Sequence, residues 1–356
     1  MIGKMRIRKI EYYSIKCKRK EPFVIATGSS NIAHNVIVKI ITDEGIGIGN
    51  ACPNSVTKET PDSILKTLSI FSDELVEEDA GDIKGLINKM DSLLENNPSA
   101  KAGIDIALYD LKGKIEGKSV YKMLGKRKDK MLTDITIGIM SQEETVEHAI
   151  KYKKEGFKAL KIKIGLDKGK DIERIKHVRE AVGENITIRV DANQGYDVDT
   201  AIEVINKIEP YNIEQVEQPV KWNDLQGLKE VKNASPIPIT ADEVVKTKDD
   251  AMKVIELDAA HNINIKLMKC GGITKALEIN RIAEKKGIET MIGCMGENKI
   301  SIAAGLHFAL SQENVKYADL DSHFSLLEHL TNGGFNFEDG YLLPLEKPGF
   351  GVIAEV

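Results

Sequence analysis

Long apolar runs are missing from this 356-residue chain; none approaches the roughly 18 residues that a membrane-spanning helix requires. Cysteine is scarce. Cys17, Cys52, Cys270 and Cys294 form neither a CxxC pair nor a dense framework. That excludes a disulfide scaffold and fits a reduced, cytoplasmic chain. An excess of one charge sign is absent too. The 50 basic and 55 acidic residues leave a net charge of −5, which gives no reason to expect nucleic acid or an anionic membrane as a partner. The first ten residues lack the apolar stretch of a signal peptide. There is no repeat beyond a strand–helix unit and no low-complexity tract. What remains is a globular chain, 42% hydrophobic, long enough for two domains.

The first third reads as a small α+β domain. Residues 5–12 alternate as a strand does. Val36–Ile41 and Ile46–Asn50, joined by Thr42-Asp-Glu-Gly45, read as a hairpin. The polar stretch from Lys18 to Ser30 is expected to be a loop. Pro61 and Gly81-Asp82 open two helices. Ser99, after Pro98, is the expected N-cap of a third, along which Ile104, Ala107, Leu108, Leu111 and Ile115 recur at helical spacing. Gly45-Ile-Gly-Ile-Gly49 imitates a dinucleotide fingerprint but has no helix after it, so a tight hairpin is expected.

From Thr133 onward strand and helix alternate. Strands are expected at 133–139, 158–164, 186–191, 213–217, 237–242, 261–267, 288–293 and 315–319, which implies a parallel barrel. No helix follows the last strand. The short tail beyond Phe324, rich in Gly and Pro, is expected to pack back on the N-terminal domain.

Five of these strands end in an ionisable residue: Lys163, Asp191, Glu217, Asp242 and Lys266, spaced by 28, 26, 25 and 24 residues. A strand, a helix and two turns take about that length. A parallel barrel presents all its strand ends on one face, where its active site lies. Three carboxylates are therefore gathered between two lysines. Single acids at strand ends are often helix caps; three in register are not. An all-oxygen set favours Mg2+ or Mn2+ over zinc. Lys163 and Lys266 either neutralise the acids or act as bases. Lys161 shares the face of Lys163, and a nearby divalent cation lowers a lysine pKa by like-charge repulsion. Together these parts suit proton abstraction alpha to a carboxylate, with the metal stabilising the enediolate. Two opposed bases allow removal on one face and return on the other.

Lys161-Ile-Lys163, Asp191-Ala-Asn193, Glu217-Gln-Pro219, Ala241-Asp-Glu243 and Asn264-Ile-Lys266-Leu-Met-Lys-Cys-Gly-Gly272 resemble the enolase superfamily, in its muconate-lactonising subgroup. The resemblance extends over nearly the whole chain, including the Ala107-Leu-Tyr-Asp110 helix. It implies a modified (β/α)7β TIM barrel (128–324) with an N-terminal α+β capping domain (1–127) completed by the segment 325–356. It implies one Mg2+ on Asp191, Glu217 and Asp242, with Lys163 and Lys266 as catalytic bases. Asn50 departs from the family pattern, in which many members carry Glu, and this puts a cap contact in question.

The last barrel strand ends Tyr317-Ala-Asp319-Leu-Asp321, with its two acids on one side. They are either a loop pair or a binding site for an ammonium group. Dipeptide epimerases of the family carry such an Asp-x-Asp pair for the substrate N-terminus. The implied activity is therefore epimerisation of the second residue of a dipeptide. Alternatives are a cycloisomerase, an o-succinylbenzoate synthase or an N-acylamino-acid racemase. Lys161, Thr136 and Glu297 are further candidates for the substrate site; Glu297 either supports Lys266 or caps the next helix. Members specific for L-Ala-L-Glu often carry an arginine a few residues after a Pro-Phe pair. Here Pro22-Phe23 is followed by Thr27 near that position, so L-Ala-L-Glu is the default and a wider or more apolar preference stays open. Lys18, Arg19 and Lys20 read as surface charge. Cys270 and Cys294 read as packing residues, and His261 and His307 have no ligand partner at useful spacing. A homo-oligomer is expected.

Overall fold

The computed structural model describes residues 5–327 and 331–354. Three antiparallel strands open the chain: β1 (Ile7–Ile25), β2 (Gly28–Thr42) and β3 (Ile46–Ala51). Helices α1 (Pro61–Leu75), α2 (Ile83–Leu93), α3 (Pro98–Ile115) and the short α4 (Val120–Met123) follow. One apolar core joins the inward faces of β1–β3 to α1, α2 and α3, through residues such as Val38, Leu68, Phe71 and Ile104. Thr60 and Ser63 form a capping box that starts α1, and Asp82 caps α2.

Two expectations need correction. The stretch from Lys18 to Ser30 is not a loop. β1 and β2 run on as one long ribbon that turns at Ala26-Thr27. Pairing follows Lys18 with Ile32, then shifts, and resumes with Phe23 opposite Ser30. The extra residues bulge out of the ribbon, and Pro22 is tolerated there because a bulge releases its missing N–H. Ser99 is likewise not a cap. It lies inside α3, where Pro98 takes the first turn and Asn97 the cap position without a side-chain bond. The Glu59 carboxylate performs the capping, accepting from Ser99 N at 2.9 Å and Ala100 N at 3.1 Å.

Gly47 and Gly49 explain the glycine-rich hairpin. A Cβ on either would meet the backbone oxygen of Ala107 or Gly103 at 2.1 and 2.0 Å. They allow β3 to lie directly on α3; no dinucleotide is involved.

After β4 (Met131–Leu132) the barrel alternates. Its strands are β5 (Ile135–Ile137), β6 (Ala159–Lys163), β7 (Thr187–Asp191), β8 (Ile213–Glu217), β9 (Ile239–Ala241), β10 (Asn262–Lys266), β11 (Glu289–Gly293) and β12 (Val315–Ala318). They are parallel and neighbour one another in sequence order. Asp134 N, just before β5, donates to Ala318 O on β12, so the first and last strands meet. Helices α5 (Gln142–Lys154), α6 (Lys168–Val182), α7 (Val198–Ile208), α8 (Leu225–Ala234), α9 (Lys248–Glu256), the one-turn α10 (Leu267–Cys270) with α11 (Ile273–Lys285), and α12 (Lys299–Ser311) fill the connections. Only a 3-10 turn, Ser322–Ser325, follows β12. This is a (β/α)7β barrel beside an α+β cap. β6 and β10 are buried at every position because a parallel barrel covers both faces of its strands.

The tail carries β13 (Thr331–Gly333), β14 (Phe335–Glu338), β15 (Tyr341–Pro344) and β16 (Val352–Ala354). β15 pairs with β4. Beyond it, Gly349 O accepts from Val120 N, and Phe350 N donates to Asp110 on α3. The tail thus touches both parts of the molecule. Residues 1–4, 328–330 and 355–356 of the expected domain division lie outside the described residues.

Cap and barrel are joined by buried polar contacts. Asp105 of α3 accepts from Ile273 N, Thr274 N and Thr274 Oγ1, and so caps α11 from across the interface. Gly272 makes room: its φ is +107°, and a Cβ would stand 2.4 Å from Asp105 Oδ2. Asn50, the departure noted in the sequence, also holds the joint. It donates to Asn35 Oδ1 at 2.8 Å and Ser301 Oγ at 2.6 Å, and accepts from Asn298 at 2.9 Å.

Asp105→Ala is expected to lose about 1–3 kcal/mol of stability, because three donors lose their acceptor. Urea unfolding measures it; an unchanged midpoint would show that this contact contributes nothing.

Candidate active site

The strand register sets the site. Lys163 on β6 stands opposite Asp191 on β7, and Asp191 opposite Glu217 on β8. Glu217 pairs with Thr240, so Asp242 lies two residues further on and faces the same way. Carboxylate oxygens of Asp191, Glu217 and Asp242 all come within 4.8 Å of one another, and all three residues are buried. Lys163 Nζ reaches Asp191 Oδ2 at 2.6 Å from one side. Lys266 Nζ stands 2.8 Å from Asp242 Oδ2 on the other. The two lysines flank the acids as the spacing implied.

The donor set fits a hard divalent cation. It is all oxygen, it is compact, and buried Asp242 Oδ2 has no hydrogen bond despite its closeness to Lys266. A buried acceptor left in that state is a site for a further cationic partner.

Local structure holds these groups in place. Gln218, at a left-handed φ of +34°, turns its amide inward, and its Oε1 accepts from Asp242 N and Val244 N. Asn264 Nδ2 donates to Glu217 Oε1 at 2.9 Å. Lys269 binds Asp242 through both its backbone and carboxylate oxygens, and Asn264 O at 3.0 Å. These residues stand in the Glu-Gln-Pro and Asn-Ile-Lys motifs, but no role for them was visible there. Orienting bonds leave no periodic signal.

Lys161 lies beneath the site. It is 1% exposed and bonds Asp191 at 3.1 Å, Glu217 at 2.8 Å and Asp319 at 2.8 Å. It does not line the cavity. Its ammonium shares Asp191 Oδ2 with Lys163. Burial works against its charged form, but Asp319, Glu217 and Asp191 outweigh it and hold its pKa well up. Burial likewise opposes the charge on Lys266, and Asp242 and Glu217 raise it above the ordinary value. The depressed lysine pKa expected from sequence therefore depends on a cation; the chain's own charges act the other way on Lys266. Among the acids, burial and neighbouring Asp191 push Glu217 up, whereas Lys266 and Lys269 overcome burial to hold Asp242 well down.

A cavity of about 780 Å3 opens above the acids, between the barrel mouth and the cap ribbon. The ribbon is docked there by Ile139 N, which donates to Val24 O at 2.8 Å. Thr27, at the ribbon turn, lines the cavity, as do Asp319 and Asp321. β12 ends at Ala318, so the two aspartates lie in the segment after the strand rather than on it. Thr133 Oγ1 accepts from Leu320 N between them. Thr136 lines the same wall, and its N–H donates to Asp321 Oδ2 at 2.6 Å. Asp321 also has Cys294 Sγ 3.7 Å away. Burial, then the charge of Asp319, pushes the Asp321 carboxyl up to about 7. Lys161 has the opposite effect on Asp319, overcoming burial to hold it low.

Glu297 is buried behind the wall and accepts from Met295 N at 2.7 Å. It is not the cap of α12; Asn298 is, accepting from Ile300 N. No ion pair joins Glu297 to Lys266 among the described residues. His307 is buried against Tyr121 and Phe350, far from any ligand set. Arg19, read as surface charge, instead lines the cavity.

Residues 9–125 match the model of the mandelate racemase / muconate lactonizing enzyme N-terminal domain, and residues 144–354 that of the enolase C-terminal domain-like family. The chain is 41% identical to the hydrophobic dipeptide epimerase of Enterococcus faecalis, covering 98% of this chain and 99% of that one. It is 40% identical to the L-Ala-D/L-Glu epimerase of Clostridium acetobutylicum, with coverage of 98% and 99%. The crystal structure of the Enterococcus faecalis dipeptide epimerase with Mg and L-Leu-L-Tyr superposes with a TM-score of 0.96 at 41% identity, covering 98% of this chain and 99% of that one.

Lys161→Met should lower stability in chelator by about 3 kcal/mol or more, since three buried carboxylates lose a shared cation. Urea unfolding reads the loss; a midpoint equal to that of the parent would contradict it.

Proposed function

Because the chain belongs to the enolase superfamily, in its mandelate racemase / muconate lactonizing enzyme family, we propose that it is a Mg2+-dependent dipeptide epimerase. Its activity class is isomerase, acting on amino-acid derivatives. The observation that carries the proposal is the placement of Lys163 and Lys266 on opposite flanks of the acid triad, each beside a different carboxylate. A site that only bound an anion would need no opposed pair.

In this reading Asp191, Glu217 and Asp242 hold Mg2+. Mg2+ bound there would supply the positive charge that stabilises the enediolate and so makes the alpha proton of the substrate removable. The lysines do the rest. One takes the proton from the alpha carbon of the second residue. The other, as an ammonium, returns a proton to the opposite face, and the stereocentre is inverted. Lys161 favours the charged forms of Asp191, Glu217 and Asp319 and fixes all three in position. Gln218, Asn264 and Lys269 hold the carboxylates to one geometry. Asp319 and Asp321 take the ammonium of the first residue, and Thr136 orients Asp321 through its N–H.

The second side chain faces the ribbon wall near Thr27, where Phe23, Ile25 and Ile137 present apolar surface. The enzyme therefore accepts L-Ala-L-Glu without requiring its side-chain carboxylate.

Exchange in deuterated water, read by mass, tests the two bases. Lys163→Ala should lose exchange from one enantiomer of the second residue and Lys266→Ala from the other, and chelator should stop both. Two variants that epimerise normally would remove the two-base mechanism. Free and N-acetylated dipeptides test the substrate class. Loss of the ammonium should cost about 1–3 kcal/mol in kcat/KM, as for other charged hydrogen bonds. Equal turnover would favour an N-acylamino-acid racemase.

A further inference from the structure

The proposed chemistry gives Arg19, a charged residue of the cavity wall, no task. Arg19 stands at the register shift of the cap ribbon, between the Lys18–Ile32 and Phe23–Ser30 pairs. Its backbone bridges to Leu326, and Lys18 O accepts from Leu327 N at 2.9 Å. Arg19 lies two residues past buried Cys17, on the same face of the strand, and that face turns it toward the cavity. Its guanidinium lies 5.1 Å from the centre of the Phe23 ring, and Nη1 donates to Ser325 Oγ at 2.7 Å. Nη2 rests against Gly296, where a Cβ would come within 2.8 Å of it.

A guanidinium offers five N–H donors. Among the described residues, Ser325 is the only side chain bonded to this one, and no carboxylate lies within ion-pair distance. Among the described residues its buried Nε has no hydrogen-bond partner. A cation half-withdrawn from water in that state favours an incoming carboxylate, which a guanidinium binds in bidentate fashion. Packing on Phe23 alone would not require a charged end; leucine or methionine would serve.

The position selects which part of a substrate is met. Gly296 follows Cys294 at the end of β11, and Ser325 closes the turn that begins beside Asp321. Cys294 and Asp321 are themselves in contact. Both segments that hold the guanidinium therefore frame Asp321, on the ammonium side of the cavity.

We propose that Arg19 is a specificity residue for the first position of the dipeptide, where it takes the side-chain carboxylate of an N-terminal aspartate or glutamate. This rests on the dipeptide epimerase reading and extends it: the ammonium of that residue meets Asp319 and Asp321 while its side chain reaches across to Arg19.

L-Glu-L-Leu and L-Gln-L-Leu differ at the first residue by one charge at nearly equal shape. Deuterium incorporation at the leucine alpha carbon gives kcat/KM for each. The expected ratio favours L-Glu-L-Leu by about tenfold or more. It should fall to near one in Arg19→Met, with Arg19→Lys between; Arg19→Gln replaces the methionine variant should that one fail to fold. A ratio near one in the parent enzyme, or one that survives Arg19→Met, overturns the proposal. If no dipeptide exchanges, the epimerase reading itself has failed. Calorimetric binding of the same two peptides then decides separately: tighter binding of L-Glu-L-Leu that Arg19→Met abolishes supports the guanidinium site, and equal affinities overturn it.

Discussion

Four ammonium groups and four carboxylates are packed together at the mouth of the barrel, nearly out of reach of water. They are Lys161, Lys163, Lys266 and Lys269 with Asp191, Glu217, Asp242 and Asp319. Removing one such ion from water costs several kcal/mol even after relaxation, and only close opposite charge with further hydrogen bonds offsets it. The rest of the structure answers that constraint. A closed parallel barrel is rigid, buries both faces of its strands, and sets one end residue from each strand at a common level. Lys161, through two acids at strand ends and a third just past the last barrel strand, is the tie that keeps the group from opening by mutual repulsion.

Lys163 and Lys266 are held by carboxylates that a divalent cation would also claim. In the proposed function, a cation held by Asp191, Glu217 and Asp242 would take oxygens from the Lys266 ammonium and place like charge beside it, which opposes its charged form. The raised pKa that Asp242 and Glu217 give Lys266 in the chain alone would then be countered by the ion itself. Metal uptake and base activation would be one electrostatic change.

The barrel was legible in the sequence because its signal is repeated. Each strand–helix unit has nearly the same length, and Lys163, Asp191, Glu217, Asp242 and Lys266 end successive units. Errors fell where a residue's role is set by something distant. Lys18–Ser30 looked like a loop because the ribbon projects from the cap sheet, exposed along much of its length, so no apolar alternation marks it. Ser99 looked like a cap, but Glu59 reaches the helix start from 40 residues away. Arg19 looked like surface charge between two lysines that are exposed; it shares the face of buried Cys17, and only the fold shows that this face covers the cavity. Gln218, Asn264 and Lys269 sat inside recognised motifs, yet their orienting bonds could not be read from order alone.

Cap and barrel divide the work along physical lines. Groups that must hold charge to a fixed geometry come from strand ends, where backbone bonds on both sides restrain them. In the proposed function, groups that meet the variable part of a substrate come from the ribbon, which is docked at Val24 and Leu326. A change of residue there alters the cavity wall without disturbing the charge lattice below. The joint between the two parts must then be firm, or the wall would drift relative to the reacting carbon. It joins apolar packing of Ile37, Ala102 and Ile106 into the barrel core with buried polar contacts of directional geometry, at Asp105 with α11 and at Asn50 with Asn298 and Ser301. Apolar packing alone tolerates sliding; hydrogen bonds that are costly to leave unmade do not. Asn50 thus fills by amide geometry the position where many family members carry Glu, and keeps the cavity wall in register with the buried charges beneath it.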